Sequence, residues 1–193
     1  MKKKILFCFL VLGVVAMSSI GTLAYFTSQD TAVNAITAGD IEIKLNETAL
    51  SDDGQTTVPF ENRQIGIMPG TTVSKIVSVE NIGSQPAYIR VKLEKDILLS
   101  GDKTDEADPS LITYDINLND WTEKDGWYYY NSILPSGEET KPLFTKVMFD
   151  SDMDNLYENS KTQIKINAEA TQTANNGKNA LAAAGWPESD KEE

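Results

Sequence analysis

Apolar and polar residues alternate along much of this chain, and no long stretch before residue 175 carries the spacing of an amphipathic helix. The clearest alternation is Asp40 to Asn46, with Ile41, Ile43 and Leu45 on one face, which predicts a half-buried strand. A Pro69-Gly70 turn precedes a β-branched strand over Thr71 to Val79. After Pro86 the pattern resumes, with Ala87, Ile89, Val91 and Leu93 inward and Tyr88, Arg90, Lys92 and Glu94 outward. The short Asn81 to Ser84 turn between these two strands predicts a hairpin. Leu111 to Leu118 and Leu143 to Phe149 read as further strands. Trp121 to Asn131 reads as a tight hairpin, because Asp125-Gly126 suits a type I′ turn and aromatics suit its flanks. Thr162 to Thr171 alternates again, with Ile164, Ile166, Ala168 and Ala170 inward. A short helix is expected over Asn179 to Ala184, ended by Trp186-Pro187, with an acidic tail from Glu188 to Glu193. Short strands separated by turn signals predict an all-β fold, an antiparallel sandwich.

The first residues follow a different logic. Lys2, Lys3 and Lys4 precede an apolar run from Ile5 to Ala16 that is too short for a resident membrane span. Thr22 and Ala24 are small enough for the pockets of a signal peptidase, which places cleavage between Ala24 and Tyr25. The alternative is an uncleaved, membrane-anchoring N-terminus. The expected organisation is a leader over 1–24, an arm over 25–38, a β-sandwich domain over 39–174 and a C-terminal helix and tail over 175–193. The arm is polar and β-branched, and Tyr25, Phe26, Val33 and Ile36 are its large apolar side chains.

Charge and composition narrow the function. Removing the leader takes away three lysines and leaves 14 basic against 29 acidic residues, a net charge of −15. Such a chain repels nucleic acid and anionic membranes, so contact with a membrane is expected only during export. The single cysteine, Cys8, leaves with the leader, and the mature chain has neither disulfide nor thiol chemistry. The chain has no histidine, which excludes a Ser-His-Asp triad, a Cys-His dyad and the H-E-x-x-H zinc helix. No catalytic residue and no cofactor is assigned, and the chain reads as a non-enzyme.

Two features invite chemistry. Asp150, Asp152 and Asp154 have the spacing that opens a calcium loop, but Asn155 stands where the turn glycine belongs and Lys161 where the bidentate glutamate belongs. A solvated acidic turn is the simpler reading, and it serves equally for Asp102, Asp105, Glu106 and Asp108. Trp127 to Tyr130 offers aromatic faces for a partner or a carbohydrate. In a strand, however, Trp127 and Tyr129 face one side and Tyr128 and Tyr130 the other, so one pair is expected in the core.

Three stretches taken together resemble the TasA/camelysin family of secreted bacterial proteins. They are LAYFTSQDTAVNAITAGDIEI from Leu23, PGTTVSKIVSVENIGSQPAYIRVKL from Pro69, and DGWYYYNSILPSGEETKPLFTKVMF from Asp125, followed by IKINAEATQ and Trp186. The resemblance implies a jelly-roll sandwich, a leader cut by a dedicated signal peptidase, and residence in the extracellular matrix or at the cell surface. It also implies biofilm-like fibres, built with itself or related matrix subunits, in which the freed arm of one subunit adds a strand to the next. Tyr25 to Ala38 occupies the matching position, and an arm rich in Thr, Val and Ile suits a sheet edge. Pairing within its own subunit, or disorder, is the alternative. Family members also carry a zinc metalloendopeptidase label, for which this chain supplies no histidine. A monomeric adhesion module shares the same fold expectation.

Overall fold

The computed structural model describes residues 24–26, 41–60, 65–67, 69–100 and 107–187. Its strands are β1 (Ala24–Phe26), β2 (Ile43–Leu50), β3 (Thr57–Pro59), β4 (Ile65–Ile67), β5 (Thr72–Asn81), β6 (Ala87–Leu98), β7 (Ile112–Tyr114), β8 (Trp121–Lys124), β9 (Trp127–Tyr130), β10 (Phe144–Phe149) and β11 (Lys161–Gln172). They form two sheets, ordered β4-β1-β11-β6-β9-β8 and β3-β2-β5-β10-β7. The sheets pack face to face as an all-β sandwich, and among the described residues every pairing is antiparallel except that of β1 with β11. Over β5 to β7 and β9 to β11 the order interleaves as in a jelly roll, because strands distant in sequence are neighbours. β2 instead pairs with β5, and β8 with β9.

The core lies between the sheets. Ile43, Val77, Val79, Ile89, Val91, Phe144, Val147, Ile164 and Ile166 are all buried there. These are the inward positions of the period-two patterns, so the sequence alternation maps directly onto the two apolar inner faces. Trp121 seals one end; its indole nitrogen donates to the Lys141 carbonyl at 3.1 Å, and its ring sits 5.0 Å from that of Tyr130. The β8–β9 hairpin is as expected. Asp125 and Gly126 both have positive φ, 53° and 77°, the requirement of a type I′ turn.

The hairpin expected between β5 and β6 does not form, because those strands lie in opposite sheets. Asn81 explains the difference. Its buried amide nitrogen donates to the Gln85 and Leu134 carbonyls at 2.9 and 3.0 Å, and its side-chain oxygen accepts from the Gly83 backbone. That makes Asn81 to Pro86 a corner between sheets, whose backbone groups are bonded by the Asn81 side chain, the Glu42 carbonyl and the Ser136 hydroxyl. The strand expected over Leu111 to Leu118 is shorter, ending at Tyr114. Asp115 then leaves the ladder to accept hydrogen bonds from the Thr145 and Lys146 backbones, where β10 bulges. The helix expected over Asn179 to Ala184 is a single 3-10 turn, Ala180–Ala182, capped by the Asn179 side chain.

Candidate functional site

The segment expected to act as an arm begins in β1, which pairs with β11. Its alternating sequence buries Ile164, Ile166, Ala168 and Ala170, and its whole length pairs with β6 on one side. On the other side β1 reaches only its first two residues, with Tyr25 opposite Lys161 and Phe26 opposite Thr162. β1 in turn pairs with β4, placing Ala24 opposite Ile67 and Tyr25 opposite Gly66. Among the described residues, none ladders with Ile164 to Gln172 on the β1 side. At about 3.3 Å per residue that edge runs for roughly 30 Å. Backbone groups along such an edge form a template for another strand.

The far end of the edge opens into a groove of about 390 Å³, lined by Ile41, Thr171, Gln172, Asn176 and Gly185 among others. Phe26 thus lies by one end of β11, and Ile41, where the described chain resumes, lies by the other. Ala24 and Tyr25, between which cleavage is expected, lie within β1, and Phe26 ends it. Thr22, Val33 and Ile36 lie outside the described residues, as do the other residues before Ala24 and the tail from Glu188.

Beside this edge, on the outer face of the same sheet, the C-terminal segment folds back as a strap. Thr171 donates to the Ala184 carbonyl at 3.0 Å, and Tyr88 donates to the Gly177 carbonyl at 2.8 Å. Asn176 ties the segment to itself: its nitrogen donates to Gln172 and Ala184, and its oxygen accepts from the Gly177 and Ala184 backbones. A Cβ on Gly177 would meet the Ala182 carbonyl oxygen at 2.3 Å, so this turn requires glycine. Under the strap Arg90 is held between two indoles, with its guanidinium carbon 4.0 Å from the Trp127 ring centre and 4.7 Å from that of Trp186. Its Nε and Nη2 donate to one Glu169 oxygen at 2.7 and 2.6 Å, and Tyr129 packs edge-on against Trp186 at 5.9 Å.

The aromatic run thus divides as strand geometry requires. Tyr128 and Tyr130 pack on the inner core, whereas Trp127 and Tyr129 belong to this outer cluster. Tyr88, expected to face solvent, is buried by the strap. Sequence reading missed the pairing of Arg90 with Glu169 and Trp186, residues far apart in the chain; the late tryptophan was the only signal, and it had no assigned partner.

The acidic candidates serve local turns. Asp150 accepts from the Asp152 backbone at 2.9 Å, and Asp154 caps the 3-10 turn Asn155–Tyr157 by accepting from Leu156 at 2.8 Å. Asp108 likewise accepts from Ser110 at the start of Pro109–Leu111, and the hydroxyl and backbone of Ser110 hold its carboxyl below the usual range. Asp102, Asp105 and Glu106 lie outside the described residues. Among the described residues no three acidic side chains gather as a metal site would need. Compared with protein-family models, curated proteins and solved structures, the chain matches none.

Proposed function

We propose that this is a secreted, non-enzymatic matrix protein of the TasA/camelysin type, which polymerises by passing its arm to a neighbouring subunit. A dedicated signal peptidase would release the arm by cutting after Ala24, and the acceptor would be the β11 edge. The observation that carries this reading is that edge: β1 engages its first two residues, and no described strand covers Ile164 to Gln172 on that side. The arm between Phe26 and Ile41 has 14 residues, enough to run the length of the edge. Pairing within one subunit and donation between subunits therefore compete for the same backbone groups.

The competition is close in energy. Each backbone hydrogen bond contributes about 1 kcal/mol net in either arrangement. Donation adds contacts between subunits but carries the entropy of association. A net charge of −15 on each mature subunit adds repulsion that salt screens, so polymerisation should quicken as ionic strength rises.

The test is to compare the mature chain beginning at Tyr25 with a variant lacking Tyr25 to Thr31, by electron microscopy and sedimentation over time. Fibres from the first and folded monomers from the second are the expected result. A variant that polymerises at the full rate would remove the arm from the mechanism. A mature protein that stays monomeric across salt and concentration would favour a monomeric surface module. Chelator-sensitive cleavage of casein by a homogeneous preparation would overturn the non-enzyme reading.

A further inference from the structure

The inner faces of the sandwich are mostly apolar, but on the β2–β5 pair they carry two opposite charges in contact. On β5, Lys75 sits between Val73 and Val77 in the inward register, and its side chain is fully buried. On β2, Glu47 occupies the inward register between Leu45 and Ala49, and its side chain is 8% exposed. Glu47 lies opposite Val77, so Lys75 is its diagonal neighbour across the ladder. Lys75 Nζ contacts Glu47 Oε2 directly, and the same nitrogen lies 3.9 Å from the centre of the Phe60 ring. A primary amine and a carboxyl group are thus held in contact in a site closed to water by an aromatic ring.

The two groups are held in contact, and holding two reactants in place removes much of the barrier between them; condensation would begin with one proton passing from Nζ to the carboxylate, which frees the nitrogen lone pair. We infer that Lys75 and Glu47 condense to an intramolecular isopeptide bond. Nζ attacks the Glu47 carboxyl carbon and forms the C–N bond. The C–O bond then breaks, and the departing hydroxyl leaves with a proton from the nitrogen as water. The balance needs no oxidant, no cofactor and no second protein. Water leaves a site that excludes it, which opposes the reverse hydrolysis.

The bond would give a cysteine-free mature chain the covalent restraint that its composition otherwise denies it. It would join β2, the first strand after the arm, to β5 near the centre of its sheet. A pull on the arm would then be borne by the linked strands and not by hydrogen bonds alone; this mechanical role rests on the fibre reading, whereas the bond itself does not.

Intact mass under denaturing conditions is the test, on the mature chain after folding and incubation. A mass lighter by one water is expected for the bulk of the protein. Trypsin should then fail to cut after Lys75 and should yield residues 45–63 joined to residues 64–90 as one branched species. Lys75→Arg keeps a cation but cannot form the amide under these conditions, and it should return to full mass. Wild-type protein at full mass, cut normally after Lys75, overturns the inference whether or not the variant folds. Because mass is read on monomers and fibres alike, this result is independent of whether the protein polymerises.

Discussion

Two buried acid–base pairs with aromatic cover, one between the sheets and one on an outer face, differ in what keeps water out. Lys75 and Glu47 lie between the sheets, closed by the sandwich and by Phe60. Arg90 and Glu169 lie on an outer face, with side chains 13% and 8% exposed, closed by the C-terminal strap and two indoles. The inner pair is sealed by the elements that make the fold, so breaking one partner strands the other in the core. The outer pair is sealed by one C-terminal segment, so loss of that cover would return both charges to water. The cations suit their places. A planar guanidinium stacks between rings and stays charged, whereas an amine can give up its proton and react.

The comparison yields an ordered set of expectations. Lys75→Met should cost the most, about 3–5 kcal/mol, because Glu47 is left without its lysine in the core. Urea denaturation followed by tryptophan fluorescence measures it. Adding Glu47→Leu should restore folding, yet leave the unfolding midpoint below wild type if the strands are covalently joined. A double variant that matches wild type would mean the pair acts by charge alone.

Trp186→Ala should cost less, about 2 kcal/mol, because the indole is only half-buried and its loss exposes Arg90 without stranding it. Hydrogen exchange should quicken over residues 173–187 and leave β2 and β5 unchanged. Faster exchange in β2 and β5 as well would mean that the strap supports the whole sandwich. Arg90→Lys should cost about 1.5 kcal/mol, since an ammonium keeps the charge opposite Glu169 but loses the stacking and the paired donors.

The smallest effect belongs to an exposed carboxylate that serves as a reference for both pairs. Partial burial pushes the Asp115 carboxyl up, but the Thr145 hydroxyl and the Thr145 and Lys146 backbones outweigh it and hold the group below its ordinary value. A depressed carboxyl contributes stability above its unfolded value of about 4, and that contribution is lost as pH falls through the lower folded value. Asp115→Asn should cost under about 1 kcal/mol at neutral pH, since water screens the site. The difference from wild type should shrink in acid. A gap that persists below the folded value would assign the effect to hydrogen-bond geometry and not to charge.

Much of this fold was legible from period-two patterning. Ile43, Ile89, Val91, Ile164 and Ile166 face inward as the alternation requires, and Asp125-Gly126 turns as its residue types require. These features depend on a residue and its near neighbours, which is the range over which sequence patterns act.

What only the tertiary structure decided is which strands meet. Alternation says that β5 and β6 each have an apolar face, but not that Asn81 sends them to opposite sheets. It marks Tyr88 and Arg90 as outward, but not that Gly177 and Trp186, far later in the chain, return to cover them. Lys75 and Glu47 are 28 positions apart, and each read alone is an ordinary charged residue in a strand. Their meeting inside the core follows from the pairing of β2 with β5, and the same choice leaves the β11 edge uncovered by β2. Strand pairing is a contest among long-range contacts whose loop-closure entropies differ little, so local sequence cannot settle it.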